Sequence, residues 1–376
     1  VQDIWHYPRS ALAQQYIDRI DSGLSHALVL FGPRRTGKTE FLLRDLGPHA
    51  QALGWRVAYA SLWQTNASPL AVILHALTNA GKKASLLDRA QNFARAARPK
   101  LKLGGALPDS TLKAEAELDL SELSGPPPSD LLLLLDELIE RFTPKRGRAL
   151  LLIDEAQELA TTLDNKPLVA ALRTSLDKRR EHLSVVFTGS SQDALRAMFS
   201  RRDAPFFHYG TLVTWPEFED AFVDHMLVAL QNVMRIKLDR AACIDAFHAL
   251  DRSPFFFRKL IEMAAFDPAH DVKVALLQIR DRAAEELRYP ETWRALTPLQ
   301  QAVAIEIAAG EKQIYAAATL RRLGRRTKAP KMLTRAQALA AVRRLTRLGL
   351  TSQTTSGAFV IDDPNFAHWI KTRTGS

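Results

Sequence analysis

Residues 27–39, A-L-V-L-F-G-P-R-R-T-G-K-T, constrain this chain more than any other stretch. A short apolar run enters a loop bracketed by Gly32 and Gly37 and closes on Lys38 and Thr39, the spacing G-x-x-x-x-G-K-[ST]. The apolar run predicts a strand and residues from Thr39 to about Leu46 a helix, so the loop falls at a strand-to-helix turn. Gly32 and Gly37 let the main chain turn with no side chain in the way, and the loop Gly32, Pro33, Arg34, Arg35, Thr36 and Gly37 can wrap phosphate oxygens with its N–H groups, all but Pro33 carrying one. Lys38 would reach the β and γ phosphates and the Thr39 hydroxyl would ligate magnesium, with Glu40 next in the helix. The positive end of that helix points at the same place.

A second motif matches the first. R-A-L-L-L-I-D-E, Arg148 to Glu155, runs apolar residues straight into two carboxylates, as expected of a buried parallel strand whose C-terminal end opens into a site. Asp154 would hold magnesium and Glu155 would act as general base on water. The next strand, Leu183 to Thr188, ends in Gly189, Ser190 and Ser191. Either serine could bond a γ phosphate or the attacking water, or cap the helix that follows. Arg201 and Arg202 precede the strand-like run F-F-H-Y-G-T-L-V; one could act as an arginine finger in a neighbouring protomer, or both could be a solvated pair.

The remaining stretches frame this core. Ser10 reads as the cap of a helix carrying Leu12, Tyr16, Ile17 and Ile20 on one face. Residues 82–130 break the strand-and-helix rhythm; Thr111–Leu120 and L-K-L before Gly104 alternate with a period of two, which predicts a β-hairpin insertion. That insertion contacts a protein neighbour or ligand, or is a solvated loop. From Trp215 to Arg288 apolar spacings of three and four predict a helical lid with breaks at Ser253-Pro254 and Asp267-Pro268. The single cysteine excludes an internal disulfide and a cysteine-based zinc cluster, and no apolar run approaches membrane-spanning length. No secretory signal is visible, so a cytoplasmic location is expected.

From Leu296 onward, helices are expected at Thr297–Ala309, around Tyr315–Leu323 and at Thr334–Leu348, followed by two short strands. That order describes a winged helix-turn-helix. The net charge of +10 concentrates here, with no acidic residue from Arg321 to Arg347. Arg325, Arg326, Lys331, Arg335, Gln337, Arg343, Arg344 and Arg347 are the candidates for contact with double-stranded DNA, Arg335 and Gln337 for base edges. A winged module that packs only on protein is the alternative.

With G-P-R-R-T-G-K-T, L-L-L-I-D-E-A-Q, V-F-T-G-S-S, the R-R-D-A-P loop, the lid and the winged segment in order, the chain resembles archaeal-type ATPases of the AAA+/STAND group, similar in layout to origin-binding initiator ATPases. The resemblance implies an α/β P-loop NTPase core over residues 1–214, a helical lid over 215–292 and a winged domain over 293–376. It implies ATP and magnesium, Ser190 or Ser191 as sensor, Tyr7 to Arg9 near adenine, and an ATP-dependent homo-oligomer. Lids of this group carry an arginine after G-x-P; here R-S-P is followed by Phe255, leaving Arg258 as the substitute. No N-K-x-D guanine-selecting motif is evident, which favours ATP. The expected function is an ATPase assembling on DNA, or else a STAND-type switch whose winged domain contacts protein.

Overall fold

Three apolar runs are buried along their whole length and two more pair at their edges, so five strands associate side by side. In the computed structural model, residues 3–63, 68–80, 100–102, 117–119, 127, 129–160, 163–189, 195, 198–199, 204, 206–328, 333–353 and 357–374 are described. The strands are β1 (Ala27–Phe31), β2 (Arg56–Ser61), β3 (Lys100–Lys102), β4 (Glu117–Asp119), β5 (Ala149–Asp154), β6 (Leu183–Gly189), β7 (Thr211–Thr214), β8 (Thr351–Gln353) and β9 (Phe359–Ile361). Five of them form a sheet in the order β2-β5-β6-β1-β7. Every pairing within it is parallel. Leu28 and Leu30 of β1 pack on one side with Phe41 and Leu42, while Val29 and Phe31 face Leu135 and Leu172 on the other. Helices on both faces and a parallel sheet make this the α/β fold of a P-loop NTPase.

β6 lies between β1 and β5. Its register sets Phe31 beside Gly189 and Ile153 beside Phe187, so the C-terminal ends of all three strands finish level. The phosphate-loop helix follows β1 as Lys38–Glu40, a π-helical segment Phe41–Leu46 and Gly47–Ala52, longer than the sequence suggests. The hairpin reading of the insertion falls on β3 and β4, which pair antiparallel.

Around Phe222, Phe247, Phe257 and Leu260 the lid packs four helices: Asp220–Met234, Arg240–Ala249, Pro254–Phe266 and Val272–Glu286. Pro254 occupies the first turn of its helix, where its missing N–H costs nothing. Phe256 and Phe257 are buried, but Phe255 is exposed and lines a cavity. Farther on, helices Pro298–Ala308, Ala317–Thr327 and Arg335–Arg347 precede the antiparallel β8–β9 hairpin, a winged helix-turn-helix arrangement closed by a further helix, Pro364–Thr374. Thr297 with Gln300, and Thr334 with Gln337, form reciprocal capping boxes at two of these helices.

Three local expectations are corrected. Ser10 is not the cap: the helix Ser10–Asp21 starts at it, and Arg9 stands at the cap position, with its N–H held by Asp45. Residues 206–210 form turns rather than strand, because Phe206 turns into the core against Phe187 and Phe199. The second winged-domain helix begins at Ala317, not Tyr315, whose ring instead sits against Phe359 of the hairpin. Among the described residues, no helix is long and apolar enough to cross a membrane.

Candidate nucleotide-binding site

The two motifs meet at the C-terminal edge of the sheet. Lys38 is buried, and its ammonium donates to the carbonyls of Gly32 at 2.8 Å and Pro33 at 2.6 Å, so it lies inside the loop it closes. Burial lowers its pKa from the ordinary 10.5 to about 8, against the opposing pull of the Glu155 and Asp154 carboxylates. Thr39 Oγ1 donates to Asp154 Oδ2 at 2.6 Å. Residues 115 positions apart in the chain are thus brought into direct contact.

Asp154 is held from every side. Tyr59 of β2 donates its hydroxyl to Oδ2 at 3.0 Å, Thr188 of β6 bonds Oδ1, and the Glu155 N–H reaches Oδ1 at 3.1 Å. Burial raises the Tyr59 pKa, and the neighbouring carboxylate raises it further, so the phenol stays a donor. Glu155 takes the left-handed conformation, φ +55°, and its carboxylate accepts from Gln157 Nε2. Tyr59, Thr188 and Gln157 were not singled out from the sequence. The strand position of Thr188 was legible, but not that its side chain and that of Tyr59 turn towards one carboxylate.

Gly32 is required by packing: a Cβ there would lie 2.7 Å from Trp215 Cβ. Gly37 has φ +86°, which favours glycine, and faces the Phe218 ring. Trp215 donates Nε1–H to the Thr36 carbonyl at 2.8 Å, and Thr36 Oγ1 donates to Pro33 O at 2.8 Å. The loop is therefore braced by the segment that enters the lid.

A cavity of about 520 Å³ opens beside the loop, a size suited to a nucleotide. Tyr7, Arg9, Arg34, Arg35, Thr36, Gly37, Lys38, Thr39, Glu40, Glu155 and Arg258 all line it, joined by Phe218, Phe222 and Phe255 of the lid. Tyr7 packs against Phe218 and Phe222 with ring centroids at 6.0 and 5.8 Å. Arg9 lies between Trp215 and Phe218 and donates to the Pro216 carbonyl at 3.1 Å. Arg34 covers Trp63 at 4.3 Å, and Glu40 pairs with Arg44 at 2.5 Å. Arg258 sits 3.7 Å from Asp3, half-exposed. Ser190, Ser191, Arg201, Arg202 and Lys331 lie outside the described residues.

Magnesium fits these residues. Thr39 and Asp154 offer hard oxygen ligands, and among the described residues no group of three or more His, Cys, Asp or Glu forms a cage. A magnesium ion that keeps phosphate and water oxygens needs only one or two protein ligands.

In the winged module, Arg325, Arg335, Arg343, Arg344 and Arg347 are exposed. Two basic residues are not free surface charge. Arg326 reaches Glu306 at 3.2 Å, and Arg322 bridges Glu306 and Glu311, acids from a preceding helix and loop that a count along residues 321–347 omits. The Gln337 amide oxygen accepts the Thr334 N–H at 2.9 Å, so that oxygen serves the cap of its own helix. Arg335 lies over the Tyr315 ring at 5.6 Å.

No protein-family profile matches the chain, and a comparison with curated proteins found no similar sequence. Among solved structures, it is similar to the Walker-type ATPase paby2304 of Pyrococcus abyssi, with a TM-score of 0.64 and 15% identity over 98% of this chain and 99% of that one. The Aeropyrum pernix ORC2 protein is also similar: its ADP form gives a TM-score of 0.56 at 16% identity, covering 98% and 94% of the two chains. The ADPNP-ADP complexes of ORC2 give 0.55 at 16% identity, covering 97% and 93%. At such identities the likeness is one of fold. This chain has the architecture shared by an archaeal Walker-type ATPase and an ORC protein, along nearly its whole length.

Proposed function

We propose that the chain is a magnesium-dependent ATPase whose nucleotide state governs assembly on double-stranded DNA through the winged module. The reading rests on one observation above the others: Thr39 and Asp154 face each other at 2.6 Å beside a buried Lys38, at the edge of a nucleotide-sized cavity. The similar ORC2 protein was solved in ADP and ADPNP-ADP complexes, which fits the same use of this fold.

In this reading the loop amides and Lys38 bind the β and γ phosphates. Thr39 and Asp154 would hold magnesium, which supplies positive charge against the phosphate oxygens when bound. Tyr59 and Thr188 keep the Asp154 carboxylate oriented, and Glu155 accepts the proton of the water that attacks the γ phosphorus. Tyr7, Phe218 and Phe222 offer faces for the base, and Arg258 is the lid's candidate contact to the phosphates.

A second reading, a nucleotide-dependent switch with slow turnover, is favoured by one contact: Arg35 of the loop meets Asp363 of the winged module at 3.5 Å. Turnover measured with and without duplex DNA, beside a sizing experiment with a non-hydrolysable ATP analogue, tests both. Stimulation by DNA and a shift to larger assemblies support the first reading. A slow, DNA-indifferent rate supports the switch, and no nucleotide binding would falsify both.

A further inference from the structure

We propose that Gln157 is the positioning residue for Glu155, a role that rests on the reading of Glu155 as the general base. Gln157 lies two residues beyond Glu155 in the short 3-10 turn Ala156–Ala160 and is only 5% exposed. Its Nε2 donates to Glu155 Oε2. The orientation of the amide is fixed by chemistry: turned over, its oxygen would face a carboxylate.

The other end of the amide is informative. Gln157 Oε1 is buried with no hydrogen-bond partner among the described residues. It lies against Gly189 at the tip of β6, so closely that a Cβ on Gly189 would overlap it. A glutamine kept only for packing would not be expected to leave a buried carbonyl unsatisfied, since the oxygen gives up its water without gaining a donor. An apolar side chain of the same shape would avoid the cost. The arrangement makes sense if the Nε2 donor is needed where it is. Glu155 itself is in the left-handed region, where a side chain larger than glycine is disfavoured. The backbone therefore aims the carboxylate, and the Gln157 amide fixes its rotation. Because the same amide abuts Gly189, a movement of the β6 tip would be felt at Glu155.

Gln157→Met keeps the buried shape and removes the donor along with the orphaned carbonyl. It should leave ATP affinity and KM within about twofold and lower kcat by about 10- to 100-fold, the range expected when a reacting group is displaced by about an ångström. Introduced into a Glu155→Gln background, it should cost nothing further, because it acts through Glu155. Gly189→Ala, whose Cβ would press on both the amide and Leu195, should lower kcat in the same direction. Gln157→Glu, which sets two carboxylates face to face, serves as the second variant at position 157 and should lower kcat at least as much. Wild-type turnover in Gln157→Met, or the same fold-loss in both backgrounds, overturns the role of Gln157 while leaving Glu155 intact. Normal turnover in Glu155→Gln removes Glu155 as base and this proposal with it.

Discussion

The Arg35 guanidinium stands 3.5 Å from the Asp363 carboxylate, 328 positions further along the chain. The same guanidinium lies over the rings of Phe255 and Phe256 at 5.3 and 5.0 Å, and the Arg35 carbonyl accepts from Ser253 Oγ at 3.2 Å. Tyr289 donates its hydroxyl to Asp363 at 2.7 Å. One loop residue thus touches the lid and the winged module together, in a left-handed conformation, φ +63°, that glycine would adopt more easily.

Arg35→Gly should therefore relax the backbone while cutting this tie. Partly exposed pairs contribute at most about 1 kcal/mol, so the melting temperature should barely move. Limited proteolysis between lid and winged module should nonetheless speed up in both Arg35→Gly and Asp363→Asn. Unchanged cleavage in both variants would show that the pair does not restrain the module.

Lys38→Ala should abolish nucleotide binding, whereas Glu155→Gln should retain it and lose about 100-fold or more in turnover, as expected for removal of a general base. Equilibrium binding of a fluorescent ATP analogue, beside phosphate release, separates the two effects. Normal turnover in Glu155→Gln would take proton abstraction away from that residue.

The depressed pKa of Lys38 gives a pH signature. Its folded-state value, about 8, lies below the ordinary 10.5, so between these values the unfolded chain carries a proton that the folded chain has released. The cost of burying the charge is fully present below about pH 8 and is relieved as pH rises towards 10.5, so this residue makes the nucleotide-free protein more stable with rising pH in that window. A bound triphosphate restores the positive charge. Calorimetric titration near pH 9 in two buffers of different ionisation heat should show proton uptake on binding, absent near pH 7. Equal heats in both buffers at pH 9 would rule this out.

If the winged module holds duplex DNA, affinity should fall steeply with salt. Replacing Arg343, Arg344 and Arg347 with alanine should reduce the slope of log K against log salt by roughly 2 to 3, from three phosphate contacts at about 0.9 each. Arg326→Ala should change the slope far less, because Glu306 already compensates that charge. Flat salt dependence of the unmodified chain would argue for a protein partner.

Gly32→Ala should destabilise by about 1–3 kcal/mol, the usual cost of overpacking. Its Cβ would meet the Cβ of Trp215, an atom fixed to the main chain rather than the free end of a side chain. Thermal unfolding reads this directly, and an unshifted transition would mean that the lid entrance yields.

The parts of the site that were legible in the sequence are local ones. Gly32 to Thr39 announces its turn because the glycines, lysine and threonine act within one loop, and Asp154 and Glu155 end an apolar run whose meaning comes from its pairing with that loop. The partners supplied by other elements were not legible. Tyr59 and Thr188 are ordinary strand residues until the parallel packing of β2, β5 and β6 brings them to the Asp154 carboxylate; Gln157 is local, but its residue type does not show that the turn folds its amide back on Glu155. The same applies to charge: Glu306 neutralises Arg326 from a helix 20 residues upstream, where linear spacing gives no warning. Gln337 has a local role that its position near a helix start also allows: its amide oxygen completes the cap with Thr334.

Because β6 separates β1 from β5, the loop half and the acidic half of the site are never direct neighbours in the sheet. A nascent chain that stopped short of Leu183 would already contain Lys38, Thr39, Asp154 and Glu155, yet would lack the wedge that sets them opposite one another. Competence to hold a triphosphate therefore waits for β6, the central strand that ends at Gly189, about halfway along the chain.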